Sequence, residues 1–411
     1  MTGPDFREFQ PRIVATLVRK FGPRHLDEIL DAAQESIASL ISTQEFIRDP
    51  LAWATLVSQR RVIDRLRQKS KQEPLTQEPT QPDIPDPHDE LRLIFLCCHP
   101  KLKPVEQICL ILRVWAGIPS PDIAALLHES EDAVQQRITR SKTKLSPADF
   151  NRPPDPQNVP TVLQALYLIF TEGYESRRGP DHINPKLAFE SLRLAEQLAE
   201  LIQSPELHAL LALMHFNISR LPARATESGE LILLPNQDRT LYNQSHISAG
   251  FHHLTLAQSG ESLTRYHIEA GLAASISAGA PAKEVLYWHD LLVQHYPTPL
   301  AKLSQAIAIG QVHGPQAALD SIRILKSDPH IAATPHYHAA LGTFYAELGN
   351  RPMAAKCYRR AVALTMSAPT RASLELRAAE LTAQPEQSPH PESQPYPPPP
   401  TFDPADSPAH R

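Results

Sequence analysis

The stretch "PDIAALLHESEDAVQQRITRSKTKL", Pro121 to Leu145, decides how the chain is read. In its first half Ile123, Ala124, Leu126 and Leu127 fall on one helical face. "HESED" interrupts the pattern. Ser130 or Glu131 is placed to cap a new helix, and Glu131 and Asp132 suit its positive N-terminal end. In the second half Val134, Ile138 and Leu145 share one side, while Asp132, Gln136, Thr139, Arg140 and Thr143 face the other way, flanked by Gln135, Lys142 and Lys144. The last twelve residues hold Arg137, Arg140, Lys142 and Lys144 and no acid.

Two short helices and a tight turn, the second helix exposing amide, hydroxyl and guanidinium groups, meet the needs of a helix-turn-helix. Its second helix enters the major groove, where Gln pairs with adenine and Arg with guanine or phosphate. The small Ala124 sits where the helices cross. A turn glycine is replaced by His128, a residue type that adopts positive φ more readily than most. A solvated basic face on a core helix would carry the same charge. The cap, the turn length and the Ala124–Val134–Ile138 spacing favour the helix-turn-helix.

Around this stretch the chain is acidic overall, with 40 Lys+Arg against 45 Asp+Glu, so any nucleic-acid role rests on local patches. A length of 411 residues predicts more than one domain. Helical periodicity dominates and no strand alternation stands out, which predicts an all-α protein. Four cysteines make no disulfide framework and fit a reducing, cytoplasmic setting. The polar start "MTGPDFREFQ" is no signal peptide, and no apolar run reaches the ~18 residues of a membrane span.

Upstream, Pro50 opens a helix "PLAWATLVSQRRVIDRLRQ" that continues into a second basic cluster. Arg60, Arg61, Arg65, Arg67, Lys69 and Lys71 face Asp64 alone, and Trp53, Leu56, Val57, Ile63 and Leu66 form the expected buried face. Residues 72–90, with five Pro, six acids and no Lys or Arg, read as a flexible acidic linker. The expected domains are 1–71, 91–150 around the helix-turn-helix, and a helical extension over 151–383. A Pro-rich tail over 384–411 is expected to be disordered. Within the extension, His338 to Leu364 places Leu341–Gly342, Tyr345, Gly349, Ala354, Tyr358 and Ala361 at tetratricopeptide (TPR) spacings, and Leu300 to Leu325 is a weaker copy.

Taken in order, these segments resemble an extracytoplasmic-function (ECF) sigma factor of bacterial RNA polymerase with a TPR-containing C-terminal extension. "LDAAQESI" (Leu30–Ile37) resembles the helix that docks on the polymerase clamp. "DPLAWATLVSQRRVIDRLR" resembles the helix that melts and reads the −10 element. "CCHP…RSKTKL" (Cys97–Leu145) resembles the domain that reads the −35 element, and "LYLIFTEGY" (Leu166–Tyr174) and "GELILLPNQDRTLY" (Gly229–Tyr242) resemble segments of the extension. Three features depart from the family: Arg60 in place of a common Asn, His128 in place of the turn Gly, and a short loop "ISTQEFIR".

The resemblance implies region 2 at 1–71 and region 4 at 91–150. It implies core RNA polymerase and promoter DNA as partners, and an extension that regulates the sigma domains and takes a protein or peptide partner. Gln135, Gln136, Thr139, Arg140, Lys142 and Lys144 would contact the −35 element, and Trp53, Arg60, Arg61 and Arg65 the −10 element. Asp31, Gln34 and Glu35 would contact polymerase. No cofactor, metal or enzymatic activity is expected. Cys97 and Cys98 read as core residues, the histidines of "GFHHL" and "PHYHAAL" as lacking convergent ligand spacing, and Glu172, Asp181 and His182 as loop residues without a nucleophile. Two alternatives stay open: a helix-turn-helix repressor or activator with a TPR sensor, and a TPR adaptor that does not bind DNA. The upstream basic helix and the docking face favour the sigma factor over the first; substituting Arg140 and Gln136 by Ala separates it from the second.

Overall fold

A computed structural model describes residues 9–43, 46–69, 86, 88–127, 129–145, 148–150, 155–175, 183–226, 232 and 234–383. Most of the expected linker and the whole tail lie outside them, as does His128. The fold is all-α, with no β-strand among the described residues.

Three helices come first: α1 (Phe9–Phe21), α2 (Leu26–Ser42) and α3 (Pro50–Lys69). Leu26, Ile29, Leu30, Ala33, Ile37 and Leu40 give α2 one buried stripe. The buried face of α3 is rotated from expectation. Ala54, Thr55, Ser58, Gln59, Val62 and Ile63 are buried, while Trp53, Leu56, Val57 and Leu66 are only half-buried. Small side chains explain the rotation: Ser58 turns its hydroxyl to Ala54 O (2.7 Å) within α3 and lies 3.4 Å from Ala32 O of α2. An Ala/Ser face thus lets the two backbones approach closely.

Next come α4 (Asp89–Cys97), α5 (Pro104–Val114), α6 (Ser120–Leu127) and α7 (Glu131–Leu145). Asp89 and Glu90, read from the sequence as the end of the linker, instead form the first turn of α4 and are buried. Pro104 sits in the first turn of α5, and the Glu106 carboxylate accepts from Lys103 N at 2.8 Å.

The extension begins with α8 (Val159–Tyr174), α9 (Pro185–Leu201), α10 (Pro205–Ser219), α11 (Gln244–Ala257) and α12 (Arg265–Ala278). Glu172, expected in a loop, belongs to α8. Helix α10 is buried almost all round, from Leu207 to Ser219, and is packed by α8, α9, α11 and α12. Residues from Ile13 through α10 to Tyr266 form one continuous hydrophobic core. The regions expected as separate domains therefore share an interior.

Beyond it α13 (Ala282–His295), α14 (Pro299–His313), α15 (Pro315–Ile324), the single turn α16 (Pro329–Ala332), α17 (Pro335–Glu347), α18 (Arg351–Leu364) and α19 (Ala368–Ala383) stack on their neighbours through small local cores. This is solenoid-like packing. Gly342 on α17 lies against the Tyr358 ring of α18, so close that a Cβ there would stand 2.9 Å from the ring.

Candidate nucleic-acid interface

Helices α6 and α7 are joined by three residues. Glu129 N donates to Ala124 O (2.9 Å) to close α6, and the Ser130 hydroxyl accepts from Ala133 N (3.3 Å) to open α7. Ile123, Ala124 and Leu126 are buried with Val134, Ile138, Ser141 and Leu145, which fixes the rotation of α7. Gln135, Gln136, Thr139, Arg140 and Thr143 are then exposed along one stripe. Arg140 Nη2 donates to Gln136 Oε1 (3.2 Å), so the two groups best suited to read base edges stand side by side. Gln135 instead donates to Glu131 (3.0 Å), and the Thr139 hydroxyl bonds its own helix.

The lysines do not join this stripe as free cations. Lys142 is half-buried and its ammonium lies 2.5 Å from Asp27 Oδ1 at the start of α2, a contact between the recognition helix and the acidic helix. Lys144 pairs with Glu106 at 2.8 Å, and this bond with Lys103 N–H holds the Glu106 carboxyl below its usual range. Arg137 pairs with Glu129 at 2.6 Å.

On α3 the expected −10 residues meet the expected polymerase residues. Arg65 Nη2 lies 2.7 Å from Glu35 Oε1, and Arg65 also donates to Glu28 O (3.0 Å). Arg61 bridges Ser36 (3.0 Å) and Ser39 (2.9 Å) on α2, and Lys69 pairs with Glu28. Glu35 is thus engaged within the chain, while Asp31 and Gln34 stand exposed on the same helix. Arg60 is exposed. Trp53 is half-buried and packs on the core rather than standing free.

Residues that periodicity did not single out tie the whole together. The buried carboxylate of Glu90 receives Arg12 of α1 (3.3 Å) and Arg193 of α9, and Glu190 lies 3.6 Å from Arg12 and 2.7 Å from Arg193. Asp89, also buried, accepts Arg19 (2.7 Å) and Arg92 (3.1 Å). This ionic junction joins the first helix, the start of α4 and the extension. The only sequence signal was two acids followed by an apolar run, the mark of a helix start.

Cys97 and Cys98 are buried, and burial pushes the Cys98 thiol up to about 12. Among the described residues no group of three or more His, Cys, Asp or Glu is arranged to hold a metal ion, and no helix is long and apolar enough to cross a membrane. In the extension Arg224 lies over the Tyr174 ring (3.7 Å) and donates to Tyr174 O (2.5 Å), locking the end of α8. The Tyr242 hydroxyl reaches Gln237 Oε1 at 3.1 Å.

Comparison with known proteins bears on both halves. A family model for sigma-70, region 4, matches residues 92–145, the span of α4–α7. A family of unknown function (DUF6596) matches residues 158–258. An uncharacterized protein of Rhizobium meliloti (strain 1021) is 31% identical over 405 residues, covering 92% of this chain and 95% of that protein. No solved structure matches. The chain belongs to the same family as this Rhizobium meliloti protein, and its residues 92–145 carry a sigma-70 region 4 domain, a DNA-binding domain of transcription.

Proposed function

We propose that the chain is an ECF-type sigma factor that binds core RNA polymerase, directs promoter-specific initiation and is regulated by its helical extension. The observation that carries this reading is the exposed Gln136–Thr139–Arg140–Thr143 stripe on the second helix of a region 4 helix-turn-helix. A basic helix beside an acidic helix at 26–69 supports −10 contact and polymerase docking, with Arg60, Arg61, Arg65 and Trp53 on one and Asp31, Gln34 and Glu35 on the other.

The packing supports a regulated, closed form. Elements named −10 and −35 lie some 25 base pairs apart, about 85 Å of duplex. A compact body of roughly 250 residues has a radius of gyration near ~18 Å. Two reading helices sharing one core cannot span both elements, so α7 and α3 separate when a promoter is engaged. Asp27 and the Glu90 junction are the contacts that then break. The small-residue helix pair α17–α18 supports a TPR-like end that takes a protein or peptide partner.

Run-off transcription with purified core polymerase tests the reading. The full chain, or a variant relieved at the junction such as Glu90→Gln, is expected to start RNA from a promoter selected for it. A chain that binds such DNA yet neither associates with core enzyme nor supports initiation is a repressor or activator instead.

A further inference from the structure

Helix α10 is apolar nearly all round, yet it directs two histidines seven residues apart, His208 and His215, at α11. There they meet two more at the same spacing, His253 and His246. The Nδ1 atoms of His208 and His253 stand 3.1 Å apart, and those of His215 and His246 2.9 Å apart. The rings of His215 and His253 stack at 5.4 Å, 9° from parallel, and His252 sits edge-on to His253 at 5.4 Å. Sequence spacing missed this convergence because the paired residues are 45 and 31 positions apart.

Each Nδ1 pair is complete only when it shares one proton, one ring donating and the other accepting. A proton on the accepting nitrogen turns two donors against each other. Other groups do little to offset this. From α9, Glu196 Oε1 lies 3.5 Å from His215 Nε2, with Arg193 and Glu200 acting on that carboxyl and Phe189 placed against the His246 ring. Glu206 opens α10 beside His267 of α12, and burial raises both carboxyls, Glu196 and Glu206. Also on α12, Arg265 and Glu269 neutralise each other at 2.7 Å, near Tyr266 and Tyr167 of α8.

We propose that this histidine seam is a proton-operated joint: acidification parts α11 from α10 and loosens α9, the helix whose Arg193 holds Glu90. Burial pushes His215 and His253 down to about 4, and His208 and His246 also fall below the ordinary value of 6.5. A lowered folded value means that the opened seam binds protons more readily than the closed one. The stabilisation is therefore complete above pH 6.5 and drains away as pH falls from 6.5 toward 4.

Amide hydrogen exchange of the full chain at pH 7 and pH 5, corrected for intrinsic rates, tests the joint. For values of 6.5 open and about 4 closed, the opening equilibrium of α11 rises about twenty-fold if one of the two histidines must charge, and roughly five-hundred-fold if both must. Helices α14–α18 serve as the internal reference and are expected to change far less. His215→Gln with His253→Gln, which cannot titrate, is expected to abolish the response. Should that pair not fold, His208→Gln and His246→Gln singly are expected to reduce it. A change in α11 below threefold, an equal loosening of α14–α18, or a response that the double substitution, or each single one, leaves undiminished overturns the proposal.

Discussion

The Lys142–Asp27 contact gives a sharp test of whether the recognition helix is held back. Asp27→Asn removes the carboxylate 2.5 Å from the Lys142 ammonium without changing its shape. The side chains are 19% and 70% exposed, so the pair itself is worth at most about 1 kcal/mol. Freeing Lys142 can therefore tighten DNA binding by up to about fivefold. A lysine that gains one phosphate contact also steepens the plot of log affinity against log salt by about 0.9. Between 50 and 200 mM salt the advantage of the variant should thus shrink by a factor of about 3.5. Fluorescence anisotropy with any labelled duplex suffices, because phosphate contacts carry no sequence information. Removing any acid near DNA raises affinity, so the cycle is closed with Lys142→Gln. The Asp27→Asn gain and the steeper slope are expected to vanish in that background. If the gain persists without Lys142, or the slope does not move, the carboxylate does not restrain this lysine and the reasoning fails.

Three further outcomes are expected. Glu90→Gln leaves Glu190 as the carboxylate facing Arg12 and Arg193 and should lower stability by about 2 kcal/mol, less than the 3–5 of a fully buried pair because both arginines are about a third exposed; urea denaturation measures it. Gly342→Ala drives a methyl to 2.9 Å from the Tyr358 ring and should destabilise α17–α18 by about 1–3 kcal/mol, seen as a lower Tm or early local exchange of those helices. Gln136→Ala and Arg140→Ala should each remove about 1–3 kcal/mol of discrimination between a selected duplex and its point variants, measured by competition binding, while the overall fold stays intact because both side chains are exposed.

Much of the secondary structure was legible in the chain because its signals are local. Pro104, Pro205, Pro299 and Pro315 sit in first turns, and Ser204, Thr298 and Asn350 accept from the backbone at helix starts. The 3.6-residue period of Val134, Ile138 and Leu145 sets the buried side of α7, and with it the exposed side. Where burial was shared between small and large residues, as on α3, periodicity placed the buried face only in part: Ile63 is buried, while Trp53, Leu56, Val57 and Leu66 are half-buried. Hydrophobicity alone does not register that Ala54 and Ser58 permit a closer approach than Trp53 or Leu56.

The sequence by itself thus marked several helix starts and set which side of the recognition helix faces out. Tertiary structure alone decided which charges are free. Lys142 meets Asp27 across 115 residues, Arg193 meets Glu90 across 103, and four imidazoles meet between two helices. The reason is physical: helix propensity and amphipathic period are properties of neighbours along the chain. An ion pair or a shared proton exists only at separations of a few ångströms, which the packing of distant elements sets.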